Sequence, residues 1–177
     1  ISLMKMAGLK TISRKPKLDI DDSFKKFGLD RGKYFTLCPG ASYGPAKRWP
    51  IENFTEVALK IINRTGLRPV ILGGRNESKQ GKYIFGIINS ALDLCGRTTI
   101  DQVYSILNNS RFTLSNDSGL MHISYATGTM TYAVFGSTSP VWTGPTYRST
   151  VFYAGRDCSP CFKKECRFGH YGCLKDI

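Results

Sequence analysis

Short apolar runs alternate with amphipathic stretches along this sequence, and no other feature constrains its fold as strongly. Tyr34-Phe-Thr-Leu-Cys-Pro39 is an apolar run ended by Pro-Gly, as expected of a buried strand. Phe54, Val57, Ala58, Ile61 and Ile62 then recur at i, i+3, i+4, i+7 and i+8, one face of an amphipathic helix. That helix is predicted to begin after Pro50, near Glu52, and to stop at Thr65-Gly66. A second apolar run, Pro69-Val-Ile-Leu-Gly73, is closed by Gly73-Gly74. A helix follows from about Glu77 to Asn89, interrupted by Gly81 and Gly86, and Leu92 to Leu94 reads as a short strand. Thr99 and Gln102 have the spacing of a capping box, opening a helix whose buried stripe is Val103, Ile106 and Leu107. Further strands are predicted over 111–115, 130–135 and 149–153, with a helix from Ser118 to Ala126. This alternation implies an α/β fold, a parallel sheet with helices on both faces and right-handed crossovers. Ligands of such sheets bind at the carboxyl ends of the strands, so the loops there are the place to look for chemistry.

A chain of 177 residues suits one domain with its own core, and 41% hydrophobic with 21% charged residues is a globular balance. No apolar run reaches the ~18–20 residues of a spanning helix. The chain starts at Ile1 with no basic segment leading into an apolar one, so no signal peptide is expected, and the start suggests a fragment or a processed chain. Lys and Arg number 25 against 13 Asp and Glu, a net charge of +12 that favours anionic partners without choosing among phosphates, nucleic acid and acidic lipid. Residues 1–30 make a poor core, with Lys5, Lys10, Arg14, Lys15 and Lys17 ahead of the first acid, Asp19. They read as a connector, the alternative being a basic arm on an anionic surface. The folded domain is expected over 31–155, and 156–177 form a cysteine-rich basic tail packed on it. Cys38 and Cys95 sit in apolar stretches as small hydrophobes. A domain of this size needs no disulfides, so a reducing compartment is expected.

Two loops stand out. The first, from Cys38 to Pro50, holds Gly40 and Gly44, which allow close backbone approach, the hydroxyls of Ser42 and Tyr43, and the adjacent cations Lys47 and Arg48. It serves equally as a phosphate loop or as an ordinary turn with surface cations. The second, Ser115-Asn-Asp-Ser-Gly-Leu-Met-His122, ends a strand and opens a helix. Amides of Ser118 and Gly119 at that helix start form an anion site. Asp117 would repel a phosphate, so it reads as an acceptor for sugar hydroxyls or as an N-cap. His122 either reaches the same cleft or is a packed histidine. A third turn, Phe135-Gly-Ser-Thr-Ser-Pro140 and onward to Pro145, carries small hydroxyls suited to a ligand-facing loop or to a Pro-rich connection. No G-x-G-x-x-G follows the first strand, no G-x-x-x-x-G-K-[ST] exists, and Gly-Ser-Thr-Ser-Pro is not a G-x-S-x-G elbow. Hydride transfer and ATP hydrolysis are unsupported.

Pro39-Gly-Ala-Ser with Lys47-Arg-Trp-Pro50, Asn116-Asp-Ser-Gly-x-x-His122 and Phe135-Gly-Ser-Thr-Ser-Pro140, in this order, resemble the C-terminal half of the ADP-heptose:lipopolysaccharide heptosyltransferases, glycosyltransferase family 9. The cysteine-rich tail is most similar to the heptosyltransferase II type. The resemblance covers about residues 34–175. It implies a Rossmann-like domain, one half of a GT-B glycosyltransferase in which two such domains face each other across a cleft. The half seen here would bind donor, and the missing N-terminal domain would supply most of the acceptor site and the catalytic base. Ser42 and Tyr43 would contact the diphosphate, although Tyr43 departs from the small hydroxyl common there, and Lys47 would neutralise it. Thr98 would grip the adenosine, Asp117 would hold heptose hydroxyls, Ser118 and Gly119 would offer amides, and His122 would line the pocket. The implied reaction is inverting transfer of heptose from ADP-heptose to an inner-core sugar of lipopolysaccharide, with no cofactor required for catalysis. Lys47 is its one catalytic residue in this chain, stabilising the leaving phosphate. A cytoplasmic protein is expected, touching the anionic inner face of the inner membrane. The competing readings are a GT-B enzyme using a UDP or GDP donor and a basic nucleic-acid module. The second is disfavoured, because cations are spread along the chain and no helix reads as a recognition helix.

Cys158, Cys161, Cys166 and Cys173 crowd into the tail, the first two as C-x2-C and His170 lying between the last two. Four soft ligands at short spacing make a tetrahedral zinc site, while reduced thiols or disulfides are the alternatives. Lys163, Lys164, Arg167 and Lys175 make the tail basic.

Overall fold

The computed structural model describes residues 22–177. The connector expected over 1–30 therefore lies mostly outside the described residues. Its end does not: Ser23–Phe27 is a 3-10 turn closed by Gly28, and Phe24 and Leu29 are buried.

Six strands make one sheet: β1 (Tyr34–Cys38), β2 (Arg68–Ile71), β3 (Leu92–Asp93), β4 (Thr113–Asn116), β5 (Thr131–Phe135) and β6 (Ser149–Tyr153). Their spatial order is β3-β2-β1-β4-β5-β6 and every neighbouring pair is parallel. The helices between them are α1 (Ile51–Thr65), α2 (Ser78–Ile87), α3 (Ile100–Asn109), α4 (Gly119–Thr127) and the single turn α5 (Pro140–Thr143), with α6 (Gly172–Lys175) near the C-terminus. Among the described residues no helix is long and apolar enough to cross a membrane.

The period-2 alternation of β1 sorts its side chains onto two layers. Phe35 and Leu37 join Phe54 and Ala58 of α1 and Ile84 of α2 in one core. Tyr34 and Cys38 join Val103, Ile106 and Leu107 of α3 in the other, where Phe24 also packs. The expected helix limits hold to within a residue or two. Thr99 caps α3 through Gln102 N, with Gln102 Oε1 returning to Thr99 N, and Gly66 closes α1 in the left-handed region. Gly81 interrupts no helix: a Cβ there would strike the Asp93 carboxylate, so its absence lets α2 lie close on β3.

Beneath α4 the core is hydroxylic. Thr36 Oγ1 and Thr113 Oγ1 are 2.7 Å apart, and Ser124 Oγ lies 2.8 Å from both Thr113 Oγ1 and Thr131 Oγ1. These groups are fully buried, so the chain that links β1, β4 and β5 satisfies them and fixes the rotation of α4 over the sheet. Removing the central hydroxyl with Ser124→Ala is expected to cost about 1–2 kcal/mol. In thermal unfolding this appears as a Tm lower by roughly 3–6 °C, and an unchanged Tm would refute the network's role.

Candidate functional site

The strand order places a topological switch point between β1 and β4, where the chain leaves the sheet in opposite directions. Parallel sheets of this kind open a ligand crevice there. The two loops singled out in the sequence follow these two strands.

One side chain joins them. Asn116, fully buried at the tip of β4, donates from Nδ2 to the Pro39 carbonyl (2.7 Å) and accepts from the Trp49 amide at Oδ1 (3.0 Å). It thereby holds both ends of the 39–49 loop against β4. Between those ends Pro45–Lys47 forms a 3-10 turn, and Arg48 Nε donates to the Ala41 carbonyl.

Lys47 and Asp117 meet as a result, with Nζ 2.6 Å from Oδ2. The pair is well sheltered, the lysine side chain 15% and the aspartate side chain 3% exposed. Thr138 Oγ1 donates to the same carboxylate oxygen at 2.5 Å, bringing in the third turn. That turn is itself tied to the first loop, since Ser137 N donates to the Ala46 carbonyl. Lys47 Nζ also lies 4.9 Å from the Tyr43 ring centroid.

Asp117 is not a helix cap. Its amide still pairs with the Val134 carbonyl as an extension of β4, which turns its carboxylate away from the helix toward Lys47. The cap of α4 is Ser118, whose hydroxyl accepts from Met121 N. The amides of Ser118 and Gly119 open the helix and take no hydrogen-bond partner among the described residues. They are suited to an anion beside the Lys47 ammonium.

The other expected site residues lie further out. Ser42 is exposed on the first loop. Tyr43 does not offer its hydroxyl to the crevice: it donates to the Phe162 carbonyl of the tail (2.7 Å), leaving its ring face to the cations. Thr98, half-buried, precedes α3 beyond β3 at the same strand-end edge. His122 is exposed on the first turns of α4, and its backbone amide donates to the Ser118 carbonyl. Cys38 and Cys95 are buried, and burial pushes both thiols far above their ordinary range.

Sequence reasoning gave no role to Asn116, Thr138 or Glu77. Glu77 Oε2 accepts from the Gly74 amide (2.5 Å), and a Cβ on Gly40 would collide with its carboxyl, so it faces the first loop from the end of β2. The Gly-Gly-x-x-Glu spacing was the available signal. The partners of Asn116 lie 67 and 77 residues away, and no local pattern marks them.

Residues 3–172 match glycosyltransferase family 9 (heptosyltransferase). The chain belongs to that family. It is 35% identical over 114 residues to lipopolysaccharide heptosyltransferase 2 of Salmonella typhimurium, covering 62% of this chain and 32% of that protein. It is 34% identical over 152 residues to lipooligosaccharide heptosyltransferase 2 of Campylobacter jejuni, covering 82% of this chain and 48% of that one. In three dimensions it is similar to ADP-heptose LPS heptosyltransferase II of E. coli, at a TM-score of 0.72 and 29% identity over 78% of this chain and 45% of the other. The family 9 chain thus spans from about a third to about half of the length of these relatives.

Asn116→Leu keeps the branching at Cγ but strands the Trp49 amide and the Pro39 carbonyl without partners. The expected loss is about 2–4 kcal/mol in urea unfolding. A loss below that of Ser124→Ala would show that the loop is held by other means.

Proposed function

We propose that this chain is the donor-binding half of an inverting heptosyltransferase that takes ADP-heptose and acts in building the inner core of lipopolysaccharide. The observation that carries the reading is the Lys47–Asp117 pair at the switch point, 2.6 Å apart, next in the chain to the Ser118 and Gly119 amides, which take no hydrogen-bond partner among the described residues. The family membership and the named relatives support it.

In this reading the diphosphate lies over the helix opening and against Lys47, while Asp117 faces the sugar hydroxyls. Ser42 and Thr98 complete the grip on the diphosphate and the adenosine, and His122 lines the rim. In the reaction the C1–O bond to the β-phosphate breaks, ADP leaves with the electron pair, and an acceptor hydroxyl attacks C1 from the opposite face. The hydroxyl proton goes to a base on the N-terminal half, outside this chain. Negative charge grows on the β-phosphate, so Lys47 and the Ser118 and Gly119 amides bind the transition state more tightly than the ground state. No catalytic metal is required. The protein works in the cytoplasm, where the donor is made, against the inner face of the membrane that carries the acceptor.

The test is nucleotide binding by calorimetry. ADP should bind the chain more tightly than UDP or GDP, and preference for either of the latter would move the donor assignment. Lys47→Met alone leaves Asp117 as a buried unpaired carboxylate, so the charge-balanced pair Lys47→Met with Asp117→Asn is the informative variant. It should fold and lose about 10- to 100-fold in ADP affinity, the worth of a charged hydrogen bond. Unaltered ADP affinity would end the phosphate assignment. The chain alone should bind ADP without transferring heptose, and transfer by it would place the base within these 177 residues.

A further inference from the structure

The tail is stitched to the donor loop by its backbone. Residues 154–171 contain no helix or strand, and most of them are exposed. Yet the Lys164 carbonyl accepts from the Ala46 amide (3.0 Å), the Phe162 carbonyl accepts from Tyr43, and the Phe162 amide donates to the Ser137 carbonyl (2.7 Å). Approach is so close that a Cβ on Gly44 would lie 2.5 Å from the Lys164 carbonyl oxygen. Phe162 also stacks on Trp142, at 4.9 Å between ring centroids. A short irregular segment therefore sets the loop that carries Lys47, with no core of its own to hold it.

Cysteines bound this clasp on both sides. Cys158, Cys161, Cys166 and Cys173 all carry free thiols and line one void of about 20 Å³, room for a single small occupant. His170 also lines the void, but its Nδ1 accepts from the Gly172 amide (2.8 Å) and its ring stacks on Phe168. The sulfurs are the donors left. As they stand, no three His, Cys, Asp or Glu side chains among the described residues are placed to hold an ion. Closing the set requires the cysteine side chains to rotate into the void they share.

We propose that Cys158, Cys161, Cys166 and Cys173 form a four-thiolate site for a soft divalent cation such as zinc, and that the bound ion fixes the 162–164 clasp on the donor loop. Binding releases the four thiol protons and forms four metal–sulfur bonds with no change of oxidation state. The excess negative charge of such a centre is offset by Lys163, Lys164, Arg167 and Lys175, which gives the basic tail a reason beyond solubility.

The experiment begins with the full chain purified reduced and without chelator. One zinc per chain by elemental analysis is expected, and cobalt(II) substitution should give the sulfur-to-metal charge-transfer and intense visible bands of a tetrahedral thiolate site. Cys158→Ser and Cys166→Ser, both at partly exposed positions, should each abolish stoichiometric metal. Absence of metal together with a featureless cobalt spectrum overturns the site, as does finding the four cysteines paired as disulfides under non-denaturing, reductant-free mass analysis. The clasp is read by hydrogen exchange of residues 43–47. Metal removal should raise exchange there and leave β1 protected, whereas unchanged exchange overturns the clasp. ADP binding is a further readout that rests on the donor-site reading, and metal removal should weaken it about tenfold, as for a loop that must be ordered at binding. A chain that takes up metal and protects the loop but never binds ADP refutes the donor reading and leaves this site standing.

Discussion

The amide of Asn116 is the hinge pin of this molecule. Its two hydrogen bonds are made in a fully buried place where no water competes, so each must be made well or the backbone groups it serves are left bare. Because it takes the beginning of the first loop with one atom and the end with the other, it converts a Pro- and Gly-rich excursion of the chain into a bridge of fixed span. The position of Lys47 follows from that span, and the position of Asp117 from being the next residue along β4.

A sheltered ion pair is a costly thing to build. Both ions give up hydration, and attraction between them offsets the loss only when geometry and extra hydrogen bonds are good. Here the carboxylate gains a second donor in Thr138, which draws the loop after β5 into the same cluster. Three loops that leave three adjacent strands, β1, β4 and β5, are thus fastened at one point. An arriving diphosphate, on the function proposed, would share an ammonium already in place and would not have to order one. The carboxylate whose charge opposes such an anion is what keeps the cation waiting for it.

The tail extends the same logic. Leu174 is buried with Trp49 and Phe54 in the core below α1, and Gly136 is bare of a Cβ where Leu174 and the Ala46 carbonyl press on it. The tail is therefore part of the wall behind the first loop, and the clasp at Phe162 and Lys164 lies on the other side of that loop. The loop is confined from behind by packing, from β4 by Asn116 and from the front by the tail backbone.

The sequence by itself determined the local elements. The apolar runs 34–38, 131–135 and 149–153, the stripe of α1 and the Thr99 cap are periodicities and caps that act within a few residues, so they stand in the chain to be read. It also determined the chemistry available, a cation on one loop, a helix-opening motif on another and four thiols in a tail. What only the tertiary structure decided is who meets whom. Strand order, the engagement of Lys47 by Asp117, the capping of α4 by Ser118 in place of Asp117 and the capture of Tyr43 by the tail all depend on groups tens of residues apart. Alternation of apolar and polar residues says which face is buried but not which strand lies beside it. That choice is made by packing and by hydrogen bonds such as those of Asn116, whose partners become neighbours only after the sheet has formed.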